Sequence, residues 1–106
     1  MINLTPHPIT LRLPDGQDVT VPPSGTVARV SMADEIVGTV AGVPLIRRRP
    51  GPVIGLPDGD QPCIVSSMVL AALPAGAPGV YAPDTGPTAI RDERGQVVAV
   101  TRLVGV

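Results

Sequence analysis

Few side chains in this 106-residue chain can do chemistry, and they are scattered along it. The single histidine, His7, sits between two prolines in Thr5-Pro6-His7-Pro8. An imidazole there can act as a general acid or base near neutral pH. Each proline fixes its own φ at about −65° and drives the residue before it toward extended geometry. Thr5 and His7 therefore lie on a stiff segment, although termini normally fray. Stiffness there implies a docked segment that aims His7 in a definite direction. The plainer alternative is a histidine that makes one structural hydrogen bond.

The run Arg47-Arg48-Arg49 places at least one guanidinium on each face if it is extended. Arginine forks grip phosphate or carboxylate with two parallel bonds. The same run can also be a solvated edge that discourages strand pairing. Ser66 and Ser67 sit where a short apolar strand feeds a helix. Free N–H groups and a partial positive charge at that point attract anions, and a serine there also serves as an ordinary cap. The glycines and lysine of a phosphate-binding loop, or of a nucleophile elbow, are missing. Asp84-Thr85-Gly86 resembles the Asp-Thr-Gly of aspartic proteases, in which two carboxylates share a proton. Here the tripeptide occurs once, near the C-terminus and before Pro87, so only a homodimer would supply the second carboxylate. No second histidine exists to build a metal site with Cys63. Asp58-Gly59-Asp60 lacks the bidentate glutamate of a calcium loop. The expectation is a binding protein with no catalytic residue, no metal and no cofactor.

Composition narrows the class further. Twelve glycines and fourteen prolines approach the range of disordered chains, but 43% hydrophobic content and a net charge of −1 favour folding. With one tyrosine and no Phe or Trp, the core must come from Val, Ile, Leu and Ala, which favours strands. All basic side chains are arginine. Near-neutral charge and the shortage of stacking side chains argue against a nucleic-acid polymer as partner. No apolar stretch approaches a membrane span, and no basic start followed by an apolar run marks a signal peptide. A cytoplasmic place is expected. Cys63, alone, reads as a small buried apolar residue.

The elements that must position these groups read mostly as hairpins. Ile9 to Leu13 and Asp18 to Val21 alternate about the turn Pro14-Asp15-Gly16-Gln17. Thr26 to Met32 reads as a strand. Glu35 to Val40 and Val43 to Arg47 flank Ala41-Gly42 as a second hairpin, preferred over a helix from Ser31 because Ile36, Val37, Thr39 and Val40 are β-branched. Residues 47–62 read as connecting loops around one short strand at Val53 to Leu56. Cys63 to Val65 is a buried strand, Ser66 to Leu73 a helix ended by Pro74 and Gly76, and Gly79 to Ala82 a returning strand. Ala89 to Arg91 and Val97 to Val104 close the chain as a final hairpin. The whole is one α+β domain over residues 1–106, dominated by antiparallel hairpins that form a small sheet or partial barrel, with one short helix near 66–73.

Five segments carry a resemblance: Ile2-Asn3-Leu4-Thr5-Pro6-His7-Pro8-Ile9, Pro22 to Val30, Gly42 to Arg48, Ile64 to Val69 and Ala82 to Asp92. The chain resembles an uncharacterised family of small proteins encoded by phages and prophages of GC-rich bacteria. That resemblance implies a phage or mobile-element context inside a host cell, where small proteins without catalytic groups act by binding. One such role is a counter-defence sponge that sequesters a phosphate-bearing nucleotide signal, a cyclic nucleotide or a cyclic ADP-ribose type. The residues expected to hold such an anionic ligand are Thr5, His7, Arg47, Arg48, Arg49, Ser66, Ser67, Asp84 and Thr85, in a homo-oligomer. The alternative is a module that binds a host or phage protein through an exposed strand edge, as inhibitor or adaptor. A small nucleotide-modifying hydrolase using His7 and Asp84 ranks third.

Overall fold

The computed structural model describes residues 1–59, 61–74 and 77–106. Gly76, expected to help end the helix, and Asp60, in the loop and the calcium-type motif, lie outside them.

Cys63-Ile64-Val65 is apolar on both faces, as a strand covered from both sides must be. Its first two residues form β6 (Cys63–Ile64), and all three are buried. β6 lies between two parallel neighbours, β1 (Ile2–Asn3) and β7 (Val80–Pro83). β10 (Leu103–Val104) adds antiparallel to the far side of β7, giving the order β1-β6-β7-β10. The parallel β6–β7 pair needs a crossover, and α1 (Ser67–Ala71) lies within it. Ser66 caps α1: its Oγ accepts the N–H of Val69 at 3.3 Å. Val69 and Leu70 point inward, while Met68 is exposed. Leu4, Ala28, Cys63, Val65, Val69, Leu70 and Ala82 make the core, with Ile2, Val30, Val53 and Leu56 packed around it.

Three two-stranded hairpins surround this sheet: β2–β3 (Ile9–Arg12, Asp18–Val21), β4–β5 (Arg29–Val40, Val43–Ile54) and β8–β9 (Ile90–Arg91, Val97–Ala99). The strand-rich α+β reading with a single short helix holds among the described residues. The sheets stay small and do not close into a barrel. Val97 to Val104 is not one strand: after β9 the chain turns at Thr101-Arg102 and gives β10 to the central sheet.

The largest departure from expectation is β5. Residues 47–54 belong to one twelve-residue strand and not to connecting loops. Pro50-Gly51-Pro52 suggested a break because proline cannot donate to a ladder. A two-stranded hairpin has only edge strands, and an edge tolerates proline. Gly55 then turns the chain away with φ +91, its α-carbon so close to the Val27 carbonyl that a Cβ would lie 2.8 Å from that oxygen. The β4–β5 hairpin packs on the core through Val30 and Val53 at its base, and beyond them nearly every residue is exposed. The radius of gyration is 16.6 Å, against about 13 Å for a compact chain of this length, and the long dimension is 54 Å. This hairpin is called the arm below.

Candidate functional site

The N-terminal segment is docked, as its prolines require, but the anchor is Asn3. Its side chain is buried: Nδ2 donates to the carbonyls of His7 (2.8 Å) and Val21 (3.0 Å), and Oδ1 accepts from the N–H and the hydroxyl of Thr5. The Thr5 hydroxyl also reaches the His7 carbonyl at 3.0 Å. Thr5 is thus buried and engaged within the fold. His7 contributes its backbone carbonyl to this knot. Its imidazole is exposed and has no hydrogen-bond partner among the described residues.

Asp84 ends a loop lock. Its carboxylate accepts the N–H of Gly86 (3.0 Å), the guanidinium of Arg102 (2.7 Å) and the hydroxyl of Thr88 (3.4 Å). The Gly86 N–H, then Arg102, hold its carboxyl below the usual carboxylate range, so it stays an anion. Thr85 is exposed, and its carbonyl accepts from Arg91 at 2.8 Å. Thr85 also lines a cavity of about 230 Å³ with Pro8, Ile9, Thr10, Pro83 and Val97 to Val100. Cys63 is buried, and burial pushes its thiol up, away from the thiolate form that attacks or ligates.

The arginine run lies on β5, midway along the arm. Alternation puts Arg47 and Arg49 on one face and Arg48 on the other. Arg48 bonds Asp34 across the hairpin, Nε to Oδ1 at 2.9 Å, and Arg49 lies 3.6 Å from Glu35. Asp34 is held below its usual range by that bond. Arg47 makes no ion pair among the described residues.

The nine expected ligand residues are spread over four elements: Thr5 and His7 in the N-terminal knot, Ser66 and Ser67 at the start of α1, Asp84 and Thr85 in the β7–β8 loop, and the arginines on the arm. The cavity shared by Pro8 and Thr85 adjoins the knot and the loop, and a second junction joins the arm to α1. A cleft of about 360 Å³ opens where the arm meets α1, lined by Met32, Arg48, Pro50, Met68, Ala71 and Ala72. It brings Arg48 beside the helix that Ser66 caps and Ser67 begins. Its lining is otherwise apolar, and Ser66 Oγ is turned to its own helix.

The candidate ligand residues do not include Met32, Asp34, Ile36, Ile46 or Met68, which give the arm and its cleft their character. The signal is the β-branched run before Ala41-Gly42, but it predicts strands only over Glu35 to Val40 and Val43 to Arg47, about half the length each strand has. The arm also carries Val40, Val43 and Leu45 in the open, and Ile36 is 72% exposed. Large apolar side chains in the open at this density are what an interaction surface carries. Both outer edges of the arm also lack a neighbouring strand among the described residues. No protein-family model matches the chain, and no match was found among curated proteins or solved structures.

Proposed function

We propose that this is a non-enzymatic binding protein of the phage or mobile-element type, working inside the host cell, whose working part is the β4–β5 arm and whose ligand is a polypeptide. The observation that carries this reading is the arm itself: two twelve-residue strands, open on both edges among the described residues and studded with exposed Ile, Val and Leu. Such a strand pair offers main-chain hydrogen bonds along its edges and side-chain burial across its face, the two ingredients of strand-addition binding. The groups capable of chemistry support the same reading. Asp84 is spent on a loop, Thr5 on a knot, and the Cys63 thiol is buried.

Sequestration of a phosphate-bearing nucleotide is the second reading, favoured by Arg48 in the arm–helix cleft. Its weakness is chemical. Arg48 already bonds Asp34, and the rest of the cleft is aliphatic or thioether. Tyr81, the single aromatic side chain, sits on β7 in the central sheet.

The test compares the full chain with one in which residues 33–48 are replaced by a two-residue turn. Capture of any polypeptide, another copy included, should be lost on shortening, and a nucleotide panel should leave the melting temperature of the full chain unchanged. A nucleotide at a hundred times its Kd would add about 2.7 kcal/mol of stability. Such a shift, or undiminished polypeptide capture by the shortened chain, overturns the first reading.

A further inference from the structure

Resting on the arm as the binding element, we infer that the polypeptide it takes is a second copy of this chain, the two arms packing face to face about a two-fold axis. Three successive cross-strand pairs share one face of the arm: Met32 opposite Pro50, Asp34 opposite Arg48, Ile36 opposite Ile46. The register is unbroken across them, both irregularities lying outside the Met32–Ile36 stretch. Read along the arm, that face is apolar, charged, apolar, with the ion pair at its centre. A pattern symmetric about its centre is what an isologous contact requires, since each copy presents the same patch to the other. With the axis at the level of Asp34 and Arg48, the isoleucine pair of one arm meets the Met32–Pro50 pair of the other. There it also finds Met68 and Ala71, the α1 side of the cleft.

Charge complementarity sits at the centre of the face, where Arg48 pairs with Asp34 and each copy presents both signs to the other. Arg47, Arg49 and Glu35 lie on the opposite face of the arm. At the centre, Arg48 spends two of its five N–H donors on Asp34, leaving others to reach Asp34 of the second copy. A charged pair in such a seam fixes register more than it adds affinity.

Area sets the strength of the contact. Twelve residues per strand give a face about 40 Å long and about 10 Å wide, or about 400 Å². Face-to-face pairing buries that face once on each copy, together with Met68 and Ala71 on the α1 side of each cleft. A total of about 800 Å², with the cleft in addition, is the size of a weak, concentration-dependent dimer.

The experiment reads mass in solution and proximity along the arm. The wild-type chain should run at twice its monomer mass, and Ile36→Glu with Ile46→Glu should halve that mass without changing the circular dichroism, because both side chains are exposed within one chain. For proximity, a Met32→Cys chain is mixed with an Ile36→Cys chain and a short bis-maleimide. The mixture should form covalent dimers in higher yield than either chain alone, and the native Cys63 is too buried to compete. A monomeric wild type, a dimer indifferent to the double glutamate substitution, or equal cross-linking in all three samples would each overturn self-pairing. A monomer that still captures another polypeptide, and loses it on arm shortening, would overturn the self-pairing alone and leave the arm-binding reading standing.

Discussion

At the residue scale, His7 and Asn3 exchange the roles that their types suggest. The imidazole attracts attention on chemical grounds, yet its side chain is exposed, while the amide four residues earlier is buried and makes four hydrogen bonds. An unpaired buried polar group costs about 1–3 kcal/mol. Asn3→Ala should therefore lower unfolding stability by about 3 kcal/mol in urea titrations, whereas His7→Ala should stay within about 0.5 kcal/mol of wild type. A His7→Ala chain as damaged as Asn3→Ala would show that the imidazole, and not the carbonyl, holds the knot. Asp84 makes a second prediction. Its carboxyl is held low in the folded chain, so its contribution is complete above the ordinary carboxylate range and fades as pH falls through the lowered value. Below about pH 4, wild-type melting temperature should drop more steeply than that of Asp84→Asn, which has no proton to take up. Parallel acid profiles would remove Asp84 from the acid response.

At the element scale, the short elements were legible because their punctuation is local. Ser66-Ser67 before an apolar run gave the start of α1, Asp15-Gly16 gave the β2–β3 turn, and Cys63 to Val65 gave the central strand. β1 and β10 were not legible, for two residues carry no period and exist only through their neighbours. The arm was half legible. Ala41-Gly42 marked its tip, but Pro50 and Pro52 hid its length, since their tolerance depends on the strand's having no partner on its outer edge. The tip itself is strained. Ala41 sits at φ +50 ahead of Gly42 at φ +82, a two-residue turn that favours Asn-Gly. Ala41→Asn should slow hydrogen exchange of the arm amides, by the equivalent of about 0.5–1 kcal/mol. Faster exchange would mean that the turn does not limit opening of the arm.

At the scale of the whole molecule, the division is between a body with a buried core and an arm that the body does not cover. The candidate ligand residues could be chosen from the sequence by type, but their separation could not, because it depends on where β5 ends. With β5 running to Ile54, the arginines travel out along the arm, away from the knot of Thr5 and the loop lock of Asp84. What remains near them is an apolar cleft and a stripe of isoleucine and methionine. A chain of this kind gains by covering that surface, at about 25 cal/mol for each Å² of apolar area removed from water. The most direct measurement is site-specific photo-cross-linking from position 36 in the intact protein, with position 19 on β3 as the comparison. The account predicts abundant adducts to a polypeptide from position 36 and few from position 19. Adducts from position 19 alone, or none from position 36 while a nucleotide stabilises the fold, would contradict it.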